Sequence, residues 1–180
     1  GTVAFYTYTI YMQKYLANSL GFSKETATLI SAASLFVFAA IQPLFGALSD
    51  RVGRKPLLLF FSIGASLGTI PLLNALSHAT SGWVAFGLIV AALFVASGYT
   101  SINAIVKAEL FPTRVRALGV ALPYALTVSI FGGTTEYIAL WCKHVGHEGW
   151  FAWYVSACAL ATLATALTLP KTSAIPDSTP

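Results

Sequence analysis

GALSDRVGRK, residues 46–55, sets a knot of small, acidic and basic residues between two long apolar runs. Basic residues just beyond an apolar run mark the cytoplasmic edge of a membrane-spanning helix, and a small residue at its end lets two helices approach closely. Gly46 is read here as that close-approach position and Gly53 as the turn. Asp50 can cap or pair, while Arg51, Arg54 and Lys55 place positive charge outside the hydrocarbon. An ordinary polar turn would need neither the two glycines nor an acid among the bases. The stretch reads as a cytoplasmic hinge between two spans.

The composition agrees. Hydrophobic residues make up 57% of the 180-residue chain and charged ones 9%, with a mean hydropathy of +0.76. That leaves too little polar surface to cover a soluble globule, and the class is a polytopic, all-α membrane protein. The net charge of +4 is spread over loops between apolar runs and makes no continuous stripe, which argues against nucleic acid as a partner. Cys142 and Cys158 lack metal-type spacing and read as small packing residues. Residue 1 is glycine and an apolar run follows at once, without a basic leader, so the chain reads as an internal piece of a longer protein.

A spanning helix needs about 20 mostly apolar residues. Six runs qualify, near 2–20, 26–49, 57–77, 83–107, 117–142 and 149–169, and together they make one bundle over residues 1–170. The tail, 171–180, is polar and proline-bearing and is expected to be disordered. An even number of spans puts both ends on one side. That side collects Arg51, Arg54, Lys55, Lys107, Arg114, Arg116 and Lys171, against Lys14, Lys24 and Lys143 on the other, which makes the termini cytoplasmic.

Polar groups inside apolar runs mark function or compensation, because each is costly in lipid. The first run carries Tyr6, Tyr8, Tyr11, Gln13, Lys14 and Tyr15. Tyr8, Tyr11 and Tyr15 recur at helical spacing with Lys14 beside them, so this face either lines a water-filled cavity or forms an interfacial aromatic belt with a snorkelling lysine. Pro43 in the second run and Pro71 in the third each free a backbone carbonyl, predicting bends. Gln42, next to Pro43, either satisfies such a carbonyl or contacts substrate. Asn103 and Lys107 end the fourth run, with Lys107 either in the cavity or in the loop.

The fifth run holds Pro123, Gly132-Gly133 and then Glu136, the sole acid inside an apolar run. A carboxylate there either loads and unloads a proton or pairs with a base such as Lys143, two turns away. The loop KHVGHEG, 143–149, offers His144, His147 and Glu148 but no fourth ligand, so no metal is expected. No catalytic pairing of His or Cys lies inside a span and no phosphate-binding glycine loop occurs, which argues against an enzyme.

The hinge pattern G-x-L-x-D-R-x-G-R-K, matched by Gly46, Leu48, Asp50, Arg51, Gly53, Arg54 and Lys55, resembles the loop signature of the major facilitator superfamily. ELFPTRVR, 109–116, resembles the corresponding loop of its sugar and metabolite porters. Nearly the whole chain is similar to the second half, spans seven to twelve, of the metabolite:proton symporters. FYTYTIYMQKYL (5–16) and GGTTEYIALW (132–141) are most similar to the branch that carries alpha-ketoglutarate, over those carrying proline/betaine, citrate or shikimate.

The resemblance implies a six-helix C-terminal half of a twelve-helix fold in a bacterial inner membrane. It implies alternating-access symport of a dicarboxylate with protons, completed by a missing N-terminal half and working as a monomer, with the proton gradient as energy source and no cofactor. Glu109, Arg114 and Arg116 would join the hinge charges in a cytoplasmic gate, or else form surface pairs worth about 0–1 kcal/mol each. Tyr8, Tyr11, Lys14, Gln42 and Asn103 are the substrate-binding candidates and Glu136 the proton-coupling one. A non-transporting sensor or structural bundle would share the six spans but leaves the paired loop motifs unexplained.

Overall fold

The structure, a computed structural model, describes residues 1–169 of the 180. Every regular element among them is helical. The first run is one continuous rod made of α1 (Thr2–Tyr6), a π turn (Thr7–Tyr11) and α2 (Met12–Asn18). The Ser23 hydroxyl accepts the Thr26 N–H and caps α3 (Lys24–Val52), which is followed by α4 (Arg54–Ser77). α5 (Gly82–Thr100) and α6 (Asn103–Glu109) flank a break at Ser101 and Ile102. α7 (Arg116–Thr127), a second π turn (Val128–Gly132) and α8 (Gly133–His144) form another rod, and α9 (Gly149–Thr168) follows.

Five units are long and apolar enough to cross a membrane: Lys24–Val52, Arg54–Ser77, Gly82–Glu109, Arg116–His144 and Gly149–Thr168. The first rod, with pieces of 5, 5 and 7 residues, is shorter than these and carries Gln13 and Lys14 exposed. The expected disordered tail and Lys171 lie outside the described residues.

α4 packs along both α5 and α9, while α3 packs along α5. Lipid supplies no hydrophobic drive between helices, so close contact must hold them. At the α4–α5 crossing a Cβ on Gly98 would lie 2.9 Å from the Leu57 carbonyl oxygen and from the Phe60 ring, an approach that no side chain permits. The core runs through Met12, Phe61, Leu76, Ile89, Leu93, Phe151 and Val155, all nearly inaccessible. Four buried hydroxyls are satisfied by carbonyls one turn back: Thr7 donates to Val3 O, Ser34 to Ile30 O, Ser62 to Leu58 O and Ser97 to Leu93 O, whereas those of Ser31 and Ser156 have no partner among the described residues.

Coverage is uneven. Within the most apolar window of each, α3 is 17% buried and the Arg116–His144 rod 6%, against 44% for α4. These two elements therefore present their apolar sides outward, with Phe36, Leu44, Leu118 and Tyr137 exposed.

The hinge is shorter than its sequence implies. α3 continues through the charged residues to Val52 and α4 starts at Arg54, so only Gly53 stands outside a helix. Its φ of 89° and ψ of 167° lie in a region that only glycine adopts without strain, which is why two helices can reverse on one residue. Gly46 is a correction. A Cβ added there meets nothing within 4 Å, so among the described residues it mediates no close helix approach.

Candidate functional site

At the hinge end of the bundle, Arg54 gathers the charges. Its guanidinium donates to Asp50 Oδ1 at 2.9 Å and to Ser49 Oγ at 3.1 Å, both on α3, and reaches Glu109 Oε1 on α6 at 3.5 Å. One side chain thus ties three helix ends together, and its own side chain is only 18% exposed. Of the partners the sequence allows for Glu109, the structure selects Arg54.

Lys55 does something else. Its ammonium donates to Leu167 O at 2.9 Å and Leu169 O at 2.6 Å, capping the open carbonyls at the end of α9. Arg116 donates to Phe111 O within its own loop at 3.1 Å. Arg51 and Arg114 are exposed and make no ion pair among the described residues.

The first rod divides its polar residues between two faces. Tyr8, Tyr11 and Tyr15 are buried, 3%, 2% and 7% exposed, which corrects the expectation that they share an open cavity-lining face with Lys14. The Tyr8 hydroxyl lies 2.5 Å from Thr69 Oγ1 on α4. The Tyr11 ring packs edge-on against Phe151 of α9 at 5.0 Å. An aromatic ring buries more apolar area than it exposes polar tip, so once a hydroxyl partner is at hand the interior is its better place. Tyr11 and Tyr15 do edge a cavity of about 310 Å³, but it sits at the end of the bundle away from the hinge, against Asn74, Ser77 and Glu148.

Lys14 and Gln13 occupy the other, open face. Gln13 donates to Thr28 Oγ1 on α3 at 2.8 Å. Lys14 forms an ion pair with Glu136 of α8, the two side chains 49% and 32% exposed. The alternative pairing of Glu136 with Lys143 is overturned. Lys143 instead donates to Asn18 O at 2.6 Å and Ser19 Oγ at 2.8 Å, a cation seated on the C-terminal end of α2, where the helix carries partial negative charge. Ser19 in turn donates to Glu148 Oε1 at 2.5 Å, and His147 stacks on Trp150 at 4.3 Å, so these loop residues brace the end of the bundle away from the hinge.

The pair forms near two π turns. Each adds backbone slack within a rod, and the two rods meet there: the Tyr6 ring would lie 2.8 Å from a Cβ on Gly132. Lys14 follows the first π turn by three residues and Glu136 follows the second by four, and the two side chains meet across the gap. Nothing in the hydrophobic periodicity announces either π turn. The acid and base were visible, but their partnership was not.

Gln42 is spent on structure. Its amide nitrogen donates to Ser97 Oγ at 3.0 Å and its carbonyl oxygen accepts from Thr100 Oγ1 at 2.9 Å, binding α3 to α5 at both ends of one amide. Its reach to backbone is to Phe38 O at 3.5 Å, not to the carbonyl that Pro43 frees. Asn103 lies apart from Lys14, on the wall of a cavity of about 400 Å³ shared with Tyr99 and Lys107. Lys107 sits 4.1 Å over the Tyr124 ring in a cation–π contact, so it faces this cavity and not the loop. The binding candidates therefore fall in separate places, and only Lys14 and Glu136 converge at an open face within the spans.

A family model described as "Sugar (and other) transporter" matches residues 3–176. The chain belongs to that transporter family. Among its curated relatives, the chain is 50% identical over 95% of its length to the alpha-ketoglutarate permease of Escherichia coli, covering 40% of that protein. It is 29% identical over 95% of its length to the glycine betaine/proline/ectoine/pipecolic acid transporter OusA of Dickeya dadantii, covering 34% of it. It is likewise 29% identical over 97% of its length to the citrate-proton symporter of Klebsiella pneumoniae, covering 39%. The chain thus spans well under half the length of these relatives. No solved structure matches it. Membership of the sugar and other transporter family accords with the apolar helices: this is an integral membrane protein of transporter type.

Proposed function

We propose that the intact protein is a proton-coupled symporter of a small organic acid, with alpha-ketoglutarate as its substrate, working by alternating access. The observation that carries this reading is the 50% identity to a protein named for alpha-ketoglutarate. The site chemistry supports it: Lys14 is a cation on an open face inside the spans, paired with a carboxylate capable of holding a proton. A carboxylate substrate needs such a cation, and a dianion needs more positive charge than this chain brings to one place. Further basic residues would come from the remainder of the protein.

In this reading the chain is the C-terminal six-span half of a twelve-helix fold, with the first rod as its sixth span. Its ends are cytoplasmic, it sits in a bacterial inner membrane, and the complete protein works as a monomer. Lipid-exposed polar groups are unfavourable, so the open face with Lys14, Gln13 and Glu136 would look toward the other half across a water-filled cavity. The Asp50–Arg54–Glu109 cluster would be a cytoplasmic gate, broken when the inner ends separate. No cofactor is called for; the proton gradient supplies the energy. Relatives named for proline, betaine and citrate support a second reading, in which the substrate is another carboxylate carried by the same mechanism.

Proteoliposomes holding the intact transporter distinguish these. The proposal expects uptake of labelled alpha-ketoglutarate that unlabelled alpha-ketoglutarate abolishes and that proline and citrate leave largely intact. Lys14→Ala should lower it at least tenfold. Uptake of proline or citrate without alpha-ketoglutarate would transfer the assignment to the second reading.

A further inference from the structure

The cavity of about 310 Å³ lies between the first rod, the end of α4 and the start of α9. Its wall combines four aromatic rings, those of Tyr11, Tyr15, Phe151 and Trp153, with the Glu148 carboxylate and the Asn74 amide. Glu148 stands at the start of α9, yet its side chain makes no cap on that helix. Ser19 donates to its Oε1, and the carboxylate forms no ion pair among the described residues. Lys143 is engaged instead with Asn18 O and Ser19 Oγ.

A carboxylate beside several rings attracts a cation in two ways, through its own charge and through the negative faces of the rings. A strongly hydrated metal ion would use only the first. An ammonium ion that carries carbon groups uses both. An anion would meet the Glu148 charge and be repelled, which sets this cavity apart from the Lys14 face. α4 ends at Ser77 and brings the partial negative charge of a helix C-terminus to the wall. The start of α9 brings the opposite sign, so the carboxylate decides the preference. We infer that this cavity binds a small organic ammonium ion, its charge against Glu148 and its carbon groups against the aromatic rings.

The wall is preformed on its inner side and open on the other. The Tyr11 ring lies 5.0 Å from Phe151 and 5.9 Å from Tyr15, and all three are buried, so no rearrangement is needed to assemble them. Trp153 and Asn74 are exposed and Glu148 is half-buried, which gives a ligand its way in. A tryptophan at the end of a span sits at the level of the lipid headgroups. The ammonium therefore has two sources with one chemistry, a free amine from the water or the headgroup of a membrane lipid. Neither Lys14 nor Glu136 takes part, so the inference goes beyond the symport reading and does not depend on what the protein carries.

The test is equilibrium binding of labelled choline to the purified intact transporter in detergent, with the uncharged carbon isostere of choline as a competitor. Saturable binding is expected, which the isostere fails to displace and excess alpha-ketoglutarate leaves intact. Glu148→Gln should weaken it by at least about tenfold. Trp153→Leu should weaken it by about threefold through the lost ring face, and serves as the second variant should Glu148→Gln fold poorly. Nanodiscs separate the two sources. Choline binding that persists in phosphatidylglycerol discs and vanishes in phosphatidylethanolamine discs assigns the site to a lipid headgroup, and binding that persists in both assigns it to a free amine. The inference is overturned by absence of saturable choline binding in detergent, by equal binding to wild type and both variants, by displacement with alpha-ketoglutarate, or by loss of binding in phosphatidylglycerol discs.

Discussion

Gly132 and Gly133 are neighbours in sequence and opposites in what they tolerate. A Cβ on Gly132 would meet the Tyr6 ring at 2.8 Å, whereas one on Gly133 meets nothing within 4 Å. Gly132→Val should destabilise the intact transporter by about 1–3 kcal/mol through overpacking between the two rods. Gly133→Ala should be neutral or stabilising by up to about 1 kcal/mol through helix propensity. Thermal unfolding in detergent reads both. Gln42 makes a second case. Both ends of its amide are engaged by Ser97 and Thr100, so Gln42→Leu should lower stability by about 1 kcal/mol while leaving the KM for substrate unchanged. A large rise in KM with unchanged stability would return Gln42 to the substrate path. Sequence alone could not decide such roles. Tyr8 and Lys14 both read as polar intrusions into an apolar run, and only the presence of Thr69 across the interface shows which one is already satisfied.

At the scale of elements, the one-residue reversal at Gly53 places Arg54 against both Asp50 and Glu109. Asp50 is 70% exposed and lies one turn from Arg54, so their pair is a local one. Glu109 belongs to a different helix. If the cluster is a gate, Glu109→Gln and Asp50→Asn should each lower kcat several-fold with little change in KM, the effect being larger for Glu109 because its contact joins helices far apart in the chain. Unchanged kcat in both would reduce the cluster to bracing. The five long apolar units and the hinge were legible because hydropathy and basic loops follow directly from the cost of burying charge in lipid. The break at Ser101 and Ile102 and the two π turns were not, because each costs only one or two backbone hydrogen bonds and leaves the average hydropathy unaltered. The two π turns lie within a few residues of Lys14 and Glu136, where the pair forms.

The whole molecule is a bundle whose least covered long elements are α3 and the Arg116–His144 rod. Its ion pair opens on a face that the described residues leave unfilled. The family was legible in the loop motifs, since basic residues gather where the bilayer stops. Substrate identity was less so, because recognition of a dianion depends on cations contributed from several spans and the described chain gathers only Lys14 at this face. The central claim is that protons and an organic acid move together through this protein. The direct measurement is external pH around de-energised, lightly buffered proteoliposomes containing the intact transporter, recorded as alpha-ketoglutarate is added. The account predicts alkalinisation of the medium as protons follow the substrate inward, abolished in Glu136→Gln. Entry of labelled alpha-ketoglutarate with no change in external pH would contradict it.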